Sequence, residues 1–201
     1  MHESSKAIFS KIKDIRYATR YLVGDGIDIG AGQDALGLYH ELFPLMKSCR
    51  GWDLSDGDAE LMQGIQNNTF NFIHSSHCLE HMKNPQIALD NWLRILKPDG
   101  YLICIVPDED LYEQGVFPST FNNDHKYSFT IYKKNSWSAK SINLFDLLSR
   151  SKLPIEIKKI ELLDATFRYN FEQITKESRF DQTTTPIGEC GIEFVLKKLV
   201  V

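Results

Sequence analysis

The sequence predicts a doubly wound α/β domain, in which helices cover both faces of a mainly parallel β-sheet. Two observations support this fold class. Short apolar runs alternate with segments of helical periodicity, and a glycine-rich turn, Gly30-Ala31-Gly32, directly follows the first apolar run. The chain has 201 residues, of which 42% are hydrophobic, and this suits one compact core. We therefore expect a single domain over residues 1–201.

The first part of the chain predicts a helix, a strand, a tight turn and a second helix. Apolar residues recur at helical spacing from residue 4 to about residue 22, so residues 1–22 are expected to form a leading helix. Residues 26–29 read as a short buried strand, and helical periodicity resumes over residues 34–43. A second strand is expected to end at Trp52-Asp53.

The middle of the chain continues the alternation. Residues 70–73 predict a strand after a polar turn. Asn84-Pro85 favours the start of a helix, with a cap followed by a first-turn proline, and residues 97–100 end it. Residues 101–106 are a continuous apolar strand, so the sheet is expected to be mainly parallel.

The last part of the chain breaks this alternation twice. Residues 107–140 are polar, aromatic and rich in turn formers, and we expect them to form a lid insertion after the fifth strand; they are called the lid segment below. A helix near residues 141–149 and a strand near residues 155–163 follow. A second irregular insertion is expected over residues 164–189, before a last strand at residues 192–200.

Composition excludes several classes of protein. The net charge is −4, from 23 basic and 27 acidic residues, so we expect no nucleic-acid partner. No segment reaches the roughly 18 apolar residues of a membrane span, and residues 1–13 are too polar for a secretory signal, so we expect a cytoplasmic protein without a membrane partner. The cysteines lie too far apart for a disulfide framework or a zinc knuckle: Cys49, Cys78, Cys104 and Cys190.

A candidate ligand site lies where the first strands end, because open parallel sheets bind ligands beyond their carboxyl edge. Gly30 and Gly32 allow the backbone to approach a ligand closely, and Asp28 can accept hydrogen bonds from a cationic amine. Asp53, at the end of the second strand, suits a ribose diol, and Asp58-Ala59 could receive an adenine edge. Each of these residues could instead have a purely structural role, in a helix cap or an exposed turn.

These features belong to an ordered series of motifs over roughly residues 24 to 108. The series is Asp28-Ile-Gly-Ala-Gly-Gln33, Gly51-Trp-Asp53, Gly57-Asp58-Ala59-Glu60, Phe70-Asn71-Phe72-Ile73, Leu79-Glu80-His81 and Arg94-Ile-Leu-Lys-Pro-Asp-Gly100-Tyr-Leu. In order and spacing it resembles the class I S-adenosylmethionine-dependent methyltransferases of the type 11 kind. The resemblance implies a seven-stranded Rossmann-like sheet with an antiparallel last strand.

The resemblance also implies S-adenosylmethionine as cofactor and assigns roles to residues. Asp28 would face the methionine amino group, Asp53 would bind the ribose hydroxyls, and Asp58 with Ala59 would contact adenine. The full cofactor-binding set is Asp28, Gly30, Ala31, Gly32, Asp53, Leu54, Asp58, Ala59 and Ser75. Two departures stand out: Asp34 occupies the place of the usual third glycine, and the link from Asp53 to Asp58 is too short for the usual helix.

The acceptor side needs a base if the methylated group is a hydroxyl, because the proton must leave during the in-line displacement. His81 follows the strand predicted over residues 70–73, at the carboxyl edge of the sheet where the acceptor is expected. It could equally be a hydrogen-bonded loop residue. His125 in the lid segment is the rival base, and with Asp108 and Asp124 it would form the acceptor site. The alternative is a solvated loop with a histidine of no catalytic role.

The spacing of His77, Glu80 and His81 matches the HxxEH pattern of inverted zinc peptidases, but that motif belongs on a long helix and here follows a strand. Some quinone-precursor O-methyltransferases of the resembled family carry a metal-binding acid-x-x-Glu-His at this place, where the first member would be His77. A divalent metal held by these three residues is therefore the less favoured alternative to a metal-free site.

The amino-acid sequence of the lid segment is similar to that of methyltransferases found among genes for bacterial surface polysaccharides. The predicted function is therefore O-methylation of a sugar or sugar-nucleotide hydroxyl. Two alternatives stay open: a non-catalytic cofactor-binding or scaffold protein, and an N-methyltransferase of a small amine. A dehydrogenase is disfavoured because the glycine turn lacks the third glycine of a dinucleotide fingerprint. A homodimer is also left open.

Overall fold

A six-stranded β-sheet organises the protein, whose computed structural model describes residues 3–170 and 179–200. The strand order is β2-β1-β3-β4-β8-β7; β1 to β4 run parallel, and β8 is antiparallel to both of its neighbours. A separate pair, β5 and β6, lies outside this sheet. The strands are β1 (Gly24–Ile29), β2 (Met46–Trp52), β3 (Phe70–Ser76), β4 (Leu96–Pro107), β5 (Ser128–Thr130), β6 (Ser141–Asn143), β7 (Ile155–Leu163) and β8 (Gly191–Lys198).

The mainly parallel sheet and its antiparallel last strand are confirmed, but the described residues form six strands in this sheet and do not confirm the predicted seventh. Residues 53–69 form turns, which leaves β2 at the edge. The backbone N–H of Asp53 donates to the Asp56 carboxylate at 3.0 Å, and the Trp52 indole N–H donates to the carbonyl of Gly57 at 3.3 Å. The chain therefore folds back immediately after β2, and no further strand is added beside it.

Helices lie on both faces of the sheet, as predicted. Apolar residues of α2, Ala88 and Trp92 among them, pack with Leu102 and Cys104 of β4. On the opposite face, Ile103 packs against the N-terminal helical segments. The helical elements are α1 (Glu3–Lys13), a π-helical turn (Tyr17–Tyr21), a 3₁₀ segment (Leu36–Leu42), a 3₁₀ turn (Leu79–His81), α2 (Pro85–Ile95), α3 (Leu144–Ser149) and a 3₁₀ turn (Gln182–Thr184).

The leading helix predicted over residues 1–22 is broken into two parts. The Asp14 carboxylate accepts a hydrogen bond from the backbone N–H of Arg16 at 3.0 Å, a local side-chain turn that competes with the helix. The predicted apolar face is only partly correct, because Ile12 and Ile15 are 47% and 69% exposed. The helix predicted after the glycine turn is a 3₁₀ segment.

The start of α2 follows the sequence signal. The Asn84 side chain accepts hydrogen bonds from the backbone N–H groups of Gln86 and Ile87, and Pro85 occupies the first turn. This cap fixes the start of α2 on the face of the sheet, shortly after the turn at residues 79–81. The predicted helix boundary is thus confirmed.

The lid segment packs against the carboxyl edge of the sheet. Its residues Leu111, Tyr112 and Phe129 are buried, and Asp108 forms an isolated β-bridge with Phe129. A closing motion of this segment stays a prediction. Of the second insertion predicted over residues 164–189, residues 171–178 lie outside the described part of the chain. The rest is irregular apart from 3₁₀ conformation at residues 169–170 and at Gln182–Thr184.

Candidate functional site

The glycine turn after β1 borders a small cavity of about 180 Å³. Gly30 has a φ of 77°, and a Cβ there would lie 2.6 Å from the Cβ of Cys78. Only glycine fits this position, for conformational and steric reasons together. The cavity is lined by Ser4, Asp28, Gly30, Ala31, Gly32, Asp34, Ser76 and His77.

Asp28 is buried in the wall of this cavity, and both of its carboxylate oxygens have partners. Oδ2 accepts a hydrogen bond from the backbone N–H of Leu36 at 2.7 Å, and Oδ1 lies 2.7 Å from Nδ1 of His74. The carboxylate thus positions the turn and joins β1 to β3, where these residues are register partners. His74 was missed by sequence reasoning, because a histidine inside an apolar strand carries no motif of its own.

Asp34 attaches α1 to the wall of the same cavity. Its Oδ2 accepts hydrogen bonds from the backbone N–H of Ser5 at 2.8 Å and from the Ser5 hydroxyl at 3.0 Å. Its Oδ1 accepts from the Tyr39 hydroxyl at 2.6 Å, a bond that raises the pKa of Tyr39. The residue that departs from the family's glycine pattern therefore holds the N-terminal helix beside the glycine turn, where Ser4 lines the cavity.

Asp53 lies beside the glycine turn on a more open surface. The backbone N–H groups of Gly30 and Ala31 donate to the carbonyl of Trp52, at 2.8 and 3.3 Å, which fixes the end of β2 against the turn. Asp53 Oδ1 accepts from the backbone N–H of Leu54 at 2.8 Å, and Leu54 is 94% exposed.

The other cofactor candidates hold backbone in place. Asp58 Oδ1 accepts from the backbone N–H of Glu60 at 2.7 Å, and the Ala59 carbonyl accepts from the Trp92 indole at 2.8 Å. The Ser75 hydroxyl is buried and donates to the carbonyl of Ile29 at 2.9 Å. Ser75 therefore joins β3 to β1 and does not line the cavity beside the glycine turn.

A cluster of histidines surrounds the fully buried carboxylate of Glu80 at the end of β3. Glu80 Oε1 lies 3.4 Å from Nδ1 of His77, 3.9 Å from Nε2 of His81 and 3.7 Å from Nε2 of His125. Burial alone would raise the pKa of Glu80, but the three imidazoles outweigh it, and its pKa lies below the ordinary value. The cluster brings the sequence-predicted metal residues together with His125 from the lid segment.

Asp108 lies elsewhere, in the wall of a larger cavity of about 540 Å³. Its Oδ1 accepts hydrogen bonds from the backbone N–H groups of Asp110 and Leu111, at 2.9 and 3.0 Å. Burial nevertheless raises the pKa of Asp108 to about 6, against the lowering effect of these two N–H groups. Such a carboxylate can gain and lose a proton near neutral pH.

The larger cavity combines aromatic and charged groups. Tyr132, Phe167 and Tyr169 supply aromatic surface, and Lys133 and Arg179 supply positive charge. The Lys133 ammonium also pairs with the carboxylates of two neighbouring acids at 2.5 Å each: Glu109 and Asp110. The remaining lining residues are Asp108, Asp110, Leu111, Gln114, Gly115, Thr130, Ile131, Leu162 and Gln182.

The acceptor site predicted from His125, Asp108 and Asp124 is not assembled in this structure. The His125 imidazole is buried in the Glu80 cluster, Asp124 pairs with His81 at 3.0 Å, and neither histidine lines the cavity that Asp108 borders. The sequence could not show this, because all three residues lie on the lid segment and its path is not visible in their spacing.

The geometry of the glycine turn agrees with a comparison against known families. A family model described as a methyltransferase domain matches residues 5–147. The chain belongs to this family. The methyltransferase therefore depends on S-adenosylmethionine as methyl donor, while its acceptor is not shown by the match. No curated protein sequence matches the chain.

Solved structures show the same fold for the methyltransferase. A Listeria monocytogenes protein provisionally assigned as an S-adenosylmethionine-dependent methyltransferase aligns with a TM-score of 0.59 and 12% identity, covering 100% of both chains. The S-adenosylmethionine-dependent methyltransferase of Mesorhizobium loti aligns with a TM-score of 0.56 and 12% identity, covering 94% of this chain and 100% of the other. A Thermotoga maritima methyltransferase, described as a possible histamine N-methyltransferase, aligns with a TM-score of 0.56 and 16% identity. The alignment covers 98% of this chain and 91% of the other.

At these identities the likeness establishes the fold and no residue roles. The individual cofactor, catalytic and metal residues stay predictions, as do a homodimer and a cytoplasmic location. Within residues 3–170 and 179–200, no helix of the methyltransferase is both long and apolar enough to cross a membrane.

Proposed function

We propose that this methyltransferase transfers the methyl group of S-adenosylmethionine to a hydroxyl of a sugar or sugar nucleotide held in the 540 Å³ cavity. The observation that carries the proposal is Asp108, a buried carboxylate in the cavity wall whose pKa is raised to about 6. A surface-polysaccharide precursor is the proposed biological source of the acceptor.

The cofactor is proposed to span the glycine turn and the end of β2. Pockets for drug-sized ligands measure roughly 300 Å³ or more, so the cavity of about 180 Å³ would hold only the methionine end. The ribose would then reach Asp53 and the adenine would reach Asp58 and Ala59. Asp28 would act mainly by positioning the turn, although each carboxylate oxygen can accept a further hydrogen bond from the cofactor's ammonium.

The two cavities lie at the same edge of the sheet, one strand apart. His77, which lines the cofactor cavity, donates its backbone N–H to the carbonyl of Ile105 at 3.0 Å, and Asp108 follows three residues after Ile105. Neighbouring strands are about 4.8 Å apart, so the ends of β3 and β4 lie next to each other at this edge. This supports transfer from one cavity to the other.

The acceptor cavity has the composition that a sugar requires. Its volume lies within the roughly 300–1,000 Å³ of small-molecule sites. Tyr132 and Tyr169 offer faces for the sugar ring, and Lys133 and Arg179 offer N–H donors for a phosphate group. A sugar nucleotide would use both sets, whereas a small amine has no phosphate group for Lys133 and Arg179.

In the proposed reaction the acceptor oxygen attacks the methyl carbon, and the sulfonium sulfur takes the electron pair of the breaking carbon–sulfur bond. Asp108, ionised above pH 6, accepts the hydroxyl proton as the C–O bond forms. S-adenosylhomocysteine and the methyl ether are the products. In this scheme His81 and His125 do not accept the proton; they hold the lid segment in position.

The proposal is tested by following methyl transfer from labelled S-adenosylmethionine to nucleotide sugars, free sugars and small primary amines. Transfer to a sugar hydroxyl, lowered about 100-fold or more by Asp108→Asn, would support it. Transfer to amines alone would instead identify an N-methyltransferase. Tight cofactor binding without turnover on any class would favour the non-catalytic scaffold.

A further inference from the structure

We propose that Glu80, His81 and His125 form a binding site for a divalent transition-metal ion, which fastens the lid segment to the end of β3. One ligand atom from each of these residues lies within 4.8 Å of the others. Glu80 and His81 follow β3, whereas His125 lies more than forty residues later in the lid segment. The inference is independent of the proposed acceptor.

The hydrogen bonds around the cluster leave one nitrogen of each imidazole facing Glu80. His125 uses Nδ1 to contact the Glu113 carboxylate at 2.8 Å, and its Nε2 lies 3.7 Å from Glu80 Oε1. His81 uses Nδ1 to contact the Asp124 carboxylate at 3.0 Å, and its Nε2 lies 3.9 Å from the same oxygen. A carboxylate on the far nitrogen of each histidine is the arrangement that orients metal-binding imidazoles in proteins.

Neither carboxylate oxygen of Glu80 accepts a hydrogen bond within the described residues, although the side chain is completely buried. A buried carboxylate without hydrogen bonds is costly, and the nearest imidazole nitrogens, of His77, His125 and His81, lie 3.4, 3.7 and 3.9 Å from its Oε1. A cation placed between Glu80 and the Nε2 atoms of His81 and His125 would supply the missing partner for the carboxylate.

The two separations from Glu80 suit a small metal ion after a slight contraction. Zinc lies about 2.1 Å from histidine nitrogen and carboxylate oxygen, so ligand atoms on a tetrahedral ion are roughly 3.4 Å apart. The observed 3.7 and 3.9 Å to Glu80 exceed this by a few tenths of an ångström. Two imidazoles and one carboxylate favour zinc, cobalt or nickel over magnesium, and leave a further position for water.

This ligand set differs from the one predicted from the HxxEH spacing. His77 lies close to Glu80, with its Nδ1 at 3.4 Å, but it also lines the cofactor cavity and has a φ of 51°. His125 takes the third position instead. An ion bound here would therefore link the lid segment, through His125, to the end of β3 beside the cofactor cavity.

The experiment measures zinc and magnesium binding to chelator-treated protein by calorimetry, together with the thermal unfolding midpoint. We expect one equivalent of zinc, binding at least 100-fold tighter than magnesium. A concentration 100 times the Kd should raise Tm by about 5–10 °C. His125→Gln and His81→Gln should each weaken zinc binding 100-fold or more and abolish the rise in Tm.

Two further variants make the test specific. His40→Gln removes a histidine whose side chain is 70% exposed and should leave zinc binding unchanged. His77→Asn, chosen because asparagine tolerates a positive φ, should retain binding within a few-fold. Circular dichroism of each metal-free variant confirms that it folds.

Three outcomes would overturn the inference: no zinc binding by the wild type, equal binding by folded His125→Gln, or loss of binding in His77→Asn alone. The last would return the site to the set predicted from the sequence. Any of them would leave the proposed methyl transfer standing, because that proposal depends on cofactor binding and on Asp108.

Discussion

Replacing Asp108 by asparagine should make the protein more stable and less active. The raised pKa, from 3.8 to about 6, means that the folded state binds the proton of this carboxyl group more tightly than the unfolded state does. The wild type therefore loses stability as the pH rises from about 4 to about 6, and the loss is complete above that range. At about 1.4 kcal/mol per pKa unit, the ionised carboxylate costs the folded state about 3 kcal/mol at pH 8.

Asparagine keeps the oxygen that accepts from the backbone N–H groups of Asp110 and Leu111, but it carries no charge. Asp108→Asn should therefore be up to about 3 kcal/mol more stable than the wild type at pH 8, and nearly equal to it at pH 4. Urea unfolding at both pH values measures this difference. Activity on the acceptor should fall roughly 10²–10⁴-fold, and wild-type activity should rise with pH through an apparent pKa near 6.

Asp25→Asn serves as the control, since Asp25 is exposed at the opposite end of β1, where its carboxylate accepts a hydrogen bond from the Ser48 hydroxyl at 2.7 Å. It should change stability by less than about 0.5 kcal/mol at either pH. The reasoning about Asp108 is refuted if Asp108→Asn is less stable than the wild type at pH 8, or if it retains activity within tenfold.

Two other predictions concern α1. Glu193 is buried between Lys11 at 2.9 Å and Lys159 at 2.8 Å, which lower its pKa to about 2 although burial alone would raise it. This stability is present above pH 4.5 and is lost as the pH falls toward 2, so Glu193→Gln should cost about 3–5 kcal/mol in urea unfolding at pH 7, with the gap narrowing in acid. Asp34→Ala should remove the bonds to Ser5 at 2.8 and 3.0 Å, and stopped-flow measurements should show faster association and dissociation of S-adenosylmethionine.

The Glu193 prediction has a matched control, and each of the two predictions has a contradicting result. Glu161→Gln removes a half-exposed carboxylate that pairs with Lys159 at 2.5 Å, and should cost less than about 1 kcal/mol. A Glu193→Gln variant as stable as the wild type at pH 7 would contradict the buried network. Unchanged cofactor rates in Asp34→Ala would show that α1 does not close the cavity.

Much of the fold could be predicted because its signals are local. The apolar runs that became β3 and β4 and the Asn84-Pro85 cap of α2 depend only on neighbouring residues. The seventh strand was expected only from the resemblance, and no apolar run of this sequence predicted it; residues 53–69 form turns. Here hydrogen bonds from Asp53 and Trp52 turn the chain back at once.

The candidate site was predictable in its position but not in its pairings. The glycine turn and the end of β2 meet as expected, since carboxyl ends of parallel strands share an edge. By contrast, the contacts of Asp28 with His74 and of Glu80 with His125 join residues 46 and 45 positions apart. No spacing rule connects such residues, because their meeting depends on sheet register and on the path of the lid segment.

The central claim, that S-adenosylmethionine binds across the glycine turn and the end of β2, is tested most directly by calorimetric titration of wild type, Asp53→Ala and Asp25→Ala. We expect micromolar binding by the wild type and by Asp25→Ala, and binding at least tenfold weaker in Asp53→Ala, a loss of about 1.4 kcal/mol. Absence of binding by the wild type, or equal binding by all three proteins, would contradict the account.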